Sequence, residues 1–188
     1  MSDQALSDQA LSERAVLMLG AFKDTWKHVT PFLTGMNVVI GGKEKDLAPG
    51  YAVVGHGTGG RKAQSLAVDG GARAMVLINC AILPGREQDL GALTIPVFLL
   101  WGEDDSTNTV ETAYHLNRLM PTSTLAVVPE CGHQVPLEAP DIVGPLIADF
   151  LRTRWLGLPR QHEHEHQHGH EPGKPVRVDI RNRPPEGI

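Results

Sequence analysis

The sequence predicts an α/β domain: a parallel sheet of about six strands with helices on both faces. Three observations carry this expectation. Strand-sized apolar runs at 15–19, 37–40, 51–54, 74–80, 97–101 and 124–128 alternate with helical or loop segments. The run at 74–80 reads as one apolar strand, as expected where both faces of a sheet are covered. Finally, Tyr51-Ala52-Val53-Val54 enters the glycine-dense stretch Gly55-His56-Gly57-Thr58-Gly59-Gly60, and a helix is expected from Arg61 to Val68. A strand that turns into a helix over so few residues needs glycine backbone freedom. In a parallel sheet such a turn lies at the carboxyl edge, where ligands bind.

Residues 1–13 contain a direct repeat, Ser2-Asp3-Gln4-Ala5-Leu6 followed by Ser7-Asp8-Gln9-Ala10-Leu11, read as an N-terminal helical extension without chemistry. The domain is expected over 14–158. Residues 24–33 read as a helix with Trp26 and Phe32 turned inward. The loop 41–50 leaves room for one helical turn. Val110, Ala113, Leu116 and Leu119 or Met120 fall on the helical period within 109–120. Val143, Leu146, Ile147 and Phe150 do the same within 140–151.

The totals exclude several classes. The 188 residues suit one core, and 41% are apolar. A net charge of −5 with both signs interspersed offers no footprint for nucleic acid. No apolar run approaches the roughly 18 residues of a membrane span. The polar start is unlike a secretory signal, and two cysteines make no disulfide framework. The expectation is a soluble, cytoplasmic protein.

The stretch 55–60 resembles the nucleophile elbow of the α/β-hydrolases, Gly-X-Ser-X-Gly, with Gly57 where that family carries its serine. Two further motifs follow in the family's order. Trp101-Gly102-Glu103-Asp104-Asp105 is similar to its acid loop, which places Asp105 as the acid and Asp104 as the alternative. Glu130-Cys131-Gly132-His133, followed by Pro136-Leu137-Glu138, resembles its histidine loop, with His133 in the catalytic position. The resemblance covers about 14–156 and implies a truncated, capless version of the fold: the chain starts at the family's third strand, and the 16 residues 81–96 are too few for a lid domain.

The resemblance implies that Asp105 orients His133 and that the imidazole acts as general base. Gly57 leaves that base without a side-chain nucleophile. The backbone N–H groups of Thr58 and of Ala21 or Phe22 take the oxyanion-hole places, after Leu19-Gly20 where the family commonly writes His-Gly. Cys80, at the end of the fourth strand, is the alternative nucleophile, although a buried cysteine is more often packing. Cys131 and His56 match ordinary family positions and receive no role.

Residues 159–188 change composition. Gln161 to Glu171 carries His162, His164, His166, His168 and His170, and Pro172, Pro175, Pro184 and Pro185 belong to a segment unable to build a core. Alternate imidazoles in an extended segment share a face and suit Ni²⁺ or Zn²⁺, whereas the fold itself implies no cofactor. Val176 to Ile180 is long enough for one short edge strand.

Three functions fit these residues. The chain is a degenerate hydrolase whose scaffold binds a small-molecule ligand or protein partner. Otherwise it is an acyl or ester hydrolase, or a proton-transfer enzyme, that uses Asp105 and His133 without a covalent step. The third reading is a metal-binding accessory protein acting through its histidine tail. An uncovered sheet edge adds the expectation of a homodimer.

Overall fold

The computed structural model describes residues 14–20, 23–159 and 176–177. All six expected strands are present: β1 (Ala15–Leu19), β2 (Asn37–Ile40), β3 (Tyr51–His56), β4 (Ala72–Ile78), β5 (Val97–Gly102) and β6 (Ser123–Val128). A two-residue β7 (Val176–Arg177) adds to β6. The sheet order is β2-β1-β3-β4-β5-β6-β7 and every pair is parallel. The helices are α1 (Thr58–Val68), α2 (Glu87–Gly91), α3 (Val110–Leu119), α4 (Val135–Glu138) and α5 (Pro140–Phe150), and a π-helical turn, Leu151–Trp155, follows α5. No helix among the described residues is long and apolar enough to cross a membrane. The extension 1–13 and the tail histidines lie outside the described residues.

Alternation along the strands separates two cores. Val16, Met18, Val54 and Val76 point to one face, where Trp26, α4, α5 and the π turn cover them. Leu17, Val53, Met75 and Leu77 point to the other, covered by Ala63 and Leu66 of α1, Leu90 of α2, and Ala113 and Leu116 of α3. Helices on both faces of a parallel sheet leave all crossovers on the amino side of the next strand. The loops after β1, β3, β4, β5 and β6 therefore gather at one edge.

Several boundaries differ from expectation. Residues 24–33 form two 3₁₀ turns, Lys23–Trp26 and Thr30–Phe32, with Pro31 inside the second. Trp26 is buried as expected, but Phe32 is 40% exposed and lies against the Cα of Gly144 on α5. The tighter period turns the two aromatics to different sides. Helix α1 starts three residues earlier than expected, at Thr58. Strand β4 covers 72–78 rather than 74–80, because Asn79 leaves the strand with φ 44°.

Helix α1 packs unusually close to the sheet through glycines. A Cβ on Gly60 would stand 2.5 Å from the Cys80 sulfur and closer still to its Cβ. A Cβ on Gly59 would run into the Leu19 carbonyl. Overpacking of this kind typically costs about 1–3 kcal/mol. Gly60→Ala is thus expected to lower the urea midpoint of unfolding by that amount of stability. An unchanged midpoint would mean that α1 can stand off the sheet without cost.

Candidate active site

Strand β3 reaches the carboxyl edge at His56, and the chain turns at Gly57 with φ 55° and ψ −118°. This left-handed angle is available to glycine at little cost and is strained for any side chain. The turn is closed by two backbone bonds, Gly57 N–H to the Ile78 carbonyl at 3.1 Å and Gly60 N–H to the Gly57 carbonyl at 3.1 Å. A Cβ on Gly57 would lie 3.3 Å from Nε2 of His133. A side chain at position 57 would therefore face the imidazole.

The other two predicted residues meet there. His133 Nδ1 and Asp105 Oδ2 are 2.9 Å apart, with the Asp105 side chain fully buried and the His133 side chain 27% exposed. The carboxylate accepts three further bonds: from the Asn79 side-chain amide at 2.5 Å, and from the Thr107 and Asn108 N–H groups at 2.7 and 3.0 Å. Burial pushes the Asp105 carboxyl up. The bonds from Asn79, His133, Asn108 and Thr107 together outweigh burial and hold it below its ordinary value. Asp104, the alternative acid, is exposed, and its backbone N–H instead meets the Cys131 carbonyl at 2.8 Å.

The histidine loop is tied at both ends. Glu138 of α4 accepts the Gly132 N–H at 2.6 Å through one oxygen and the Gln134 N–H at 2.9 Å through the other. The His133 carbonyl lies 2.8 Å from Nε2 of His56. A carbonyl only accepts, so Nε2 of His56 carries the proton and its Nδ1 is the bare nitrogen. Burial lowers the His56 pKa, against the opposing effect of that carbonyl, and favours this neutral form.

Cys80 does not join the site. It is fully buried on the α1 side of the sheet, beneath Gly60 and beside the Gln64 amide, and burial raises its thiol to about 12. That thiol stays protonated at neutral pH and is no thiolate nucleophile. Cys131 is buried and belongs to the core on the other face of the sheet. Thr58 opens α1, where the first N–H groups lack intrahelical acceptors, so its N–H remains a candidate oxyanion donor. Ala21 and Phe22 lie outside the described residues. No cluster of three or more His, Cys, Asp or Glu suited to a metal occurs among the described residues.

Asn79, His56 and Glu138 were not singled out as site residues by their sequence. Of these, Asn79 had a readable signal: a polar side chain within an apolar run at the carboxyl edge of the sheet.

The fold is α/β-hydrolase-like, with Asp105 and His133 side by side at the carboxyl edge of the sheet and Gly57 at the turn after β3. Solved structures share its fold. A "CIB-like hydrolase" from Thermoplasma acidophilum matches with a TM-score of 0.68 and 16% identity, over 81% of this chain and 89% of that one. The meta-cleavage product hydrolase CumD of Pseudomonas fluorescens IP01 gives 0.64 and 13%, over 73% and 90%. The α/β-hydrolase MGS-MChE2, from a sediment metagenome of the Mar Chica lagoon, gives 0.68 and 16%, over 76% and 92%. By sequence, the "uncharacterized hydrolase YugF" of Bacillus subtilis (strain 168) is 34% identical over 65 residues, a stretch covering 35% of this chain and 24% of that protein. No family model matches the chain.

His56 and Asp105, two buried groups of the site with lowered pKa values, predict two acid-sensitive components of stability. His56 has a lowered pKa in the fold, whereas an unfolded histidine titrates near about 6.5. Its contribution is complete above that value and falls as pH drops below it. The lowered Asp105 contributes above the ordinary carboxylate range, about 4, and its share is lost as pH falls through the folded value. Urea midpoints measured against pH should flatten between about pH 7 and 5 in His56→Asn, and below about pH 4 in Asp105→Asn. Variant curves parallel to that of the unmodified protein would refute the assignment.

Proposed function

We propose that this protein is a hydrolase of acyl or ester substrates in which the Asp105–His133 pair activates water directly, with no covalent serine step. The observation that supports this most is the buried, fully hydrogen-bonded carboxylate 2.9 Å from His133, with Nε2 facing the side-chain-free elbow. A buried charge is costly to keep. In this arrangement it gives the imidazole one tautomer, with Nδ1 protonated and Nε2 basic.

The step balances without further reagents. Nε2 of His133 takes a proton from water as the water oxygen bonds to the acyl carbon. The carbonyl π electrons move onto oxygen, to which the Thr58 N–H would donate. Collapse re-forms the carbonyl and breaks the bond to the leaving group. The imidazolium returns its proton to that group, and the products are a carboxylic acid and an alcohol or thiol. Asp105 stays ionised and stabilises the imidazolium.

Gly57 itself favours a second reading, a degenerate hydrolase scaffold that binds a ligand or partner. Hydrolysis of short-chain esters and thioesters by the unmodified protein, His133→Ala and Gly57→Ser separates the two. Direct water activation predicts slow turnover without a burst, reduced about 10²–10⁴-fold in His133→Ala, the usual share of a general base. Equal rates in His133→Ala would overturn it. Turnover by Gly57→Ser alone would favour the scaffold reading, because the preserved elbow would then need only a hydroxyl.

The alternating His162, His164, His166, His168 and His170 support a separate proposal, Ni²⁺ or Zn²⁺ binding by the tail. Truncation after Arg160 should abolish tight Ni²⁺ binding in calorimetry. Undiminished affinity would remove the tail as the site.

A further inference from the structure

Beyond the pair itself, the network around it contains a buried amide side chain that touches the acid directly. We infer that Asn79 is a positioning residue: it fixes the orientation of the Asp105 carboxylate toward His133 and thereby sets which nitrogen of His133 carries the proton. This deepens the hydrolase reading above, since it concerns the same pair, but its test needs no turnover.

The geometry carries the inference. Asn79 is fully buried at the carboxyl end of β4. Its φ of 44° is one that asparagine tolerates better than most residues. The side-chain oxygen accepts the Gly102 N–H at 3.2 Å, which assigns the two ends of the amide. The amide nitrogen then points at Asp105 Oδ2, 2.5 Å away, and its second proton faces the Gly132 carbonyl at 3.4 Å. The Asn79 carbonyl accepts the Asn108 side-chain amide at 2.9 Å, and its N–H reaches the Leu100 carbonyl at 3.3 Å. Every donor and acceptor of this residue is therefore engaged.

These bonds reach every segment that builds the pair. Gly102 ends β5, Asn108 belongs to the acid loop, and Gly132 immediately precedes His133. Asp105 Oδ2 is shared between Asn79 and His133, while Oδ1 is taken by Thr107 and Asn108. With Asn79 in place, the carboxylate has one orientation, and its Oδ2 stands ready to accept from Nδ1. Without Asn79 that oxygen loses one of its two donors, and Gly102 N–H loses its acceptor.

The test is the tautomer of His133, read from ¹⁵N shifts of the imidazole at a pH where the ring is neutral. Asn79→Gly is the informative variant, because glycine accepts the positive φ while the amide is deleted. The unmodified protein should show a protonated Nδ1 and a bare Nε2. Asn79→Gly should shift the population toward protonated Nε2, as Asp105→Ala should, and the double variant should add nothing further. A purely structural role would lower the melting temperature and leave the tautomer unchanged, and that result would overturn the inference. A second measurement needs no variant. One Asn79 side-chain amide proton should exchange with solvent only as slowly as the sheet unfolds, and exchange as fast as that of surface asparagines would equally overturn it.

Discussion

Burying one negative charge governs the carboxyl edge of this sheet. Removing the Asp105 carboxylate from water costs several kcal/mol even after relaxation. Hydrogen bonds to a charged group are worth about 1.5–3 kcal/mol each when well made. The four that surround Asp105 come from Asn79 after β4, Thr107 and Asn108 after β5, and His133 after β6. Offsetting the charge thus requires three strand ends to be in register at once. A parallel sheet supplies that register, because all its strands finish at the same edge. The left-handed turns at Asn79 and Glu130 lie on two of the chain segments that must bend to reach the charge.

The elbow depends on the same edge but on different physics. Its shape comes from contacts too close for side chains, Gly59 against the β1 carbonyl and Gly60 against Cys80. These contacts hold α1 so that Gly57 presents its Cα toward His133 whether or not a hydroxyl is attached. That explains how the backbone turn and the acid–histidine pair coexist with a glycine at the centre. The pair is oriented from the β4–β6 side, and nothing in its geometry is borrowed from residue 57.

This division also decides what was legible in the sequence. Strand positions could be read because each strand is a run of apolar residues bounded by turns, and β1, β2, β5 and β6 fall close to the expected places. The meeting of Asp105 with His133 could be anticipated because both stand in loops that follow strand ends at the same edge of the sheet. The end of β4 could not. Asn79 sits between Ile78 and Cys80 in a segment that counts as apolar by pattern, and only long-range partners 23 to 53 residues away show that it turns out of the strand. Cys80 was misplaced by the same error: two residues beyond the end of β4, it packs under Gly60 and not toward the site. The 3₁₀ period around Pro31, which exposes Phe32, was hidden in a stretch with a plausible helical spacing.

His133 is held at two points on different atoms. Asp105 takes Nδ1, and His56 takes the backbone carbonyl through a proton that its neutral form keeps on Nε2. The ring packs 5.2 Å from the His56 ring, centroid to centroid. With Nδ1 and the carbonyl committed, Nε2 is the one basic atom of the residue directed to the elbow. A proton donor bound above Gly57 would meet a base whose tautomer and direction are already determined, so little reorganisation would remain at the moment of transfer. Such preorganisation is what a general base needs, and it is indifferent to whether the proton comes from a serine hydroxyl or from water. Glycine at 57 leaves no side chain between Nε2 and whatever is bound there, and under the proposed mechanism that space is the place of the water.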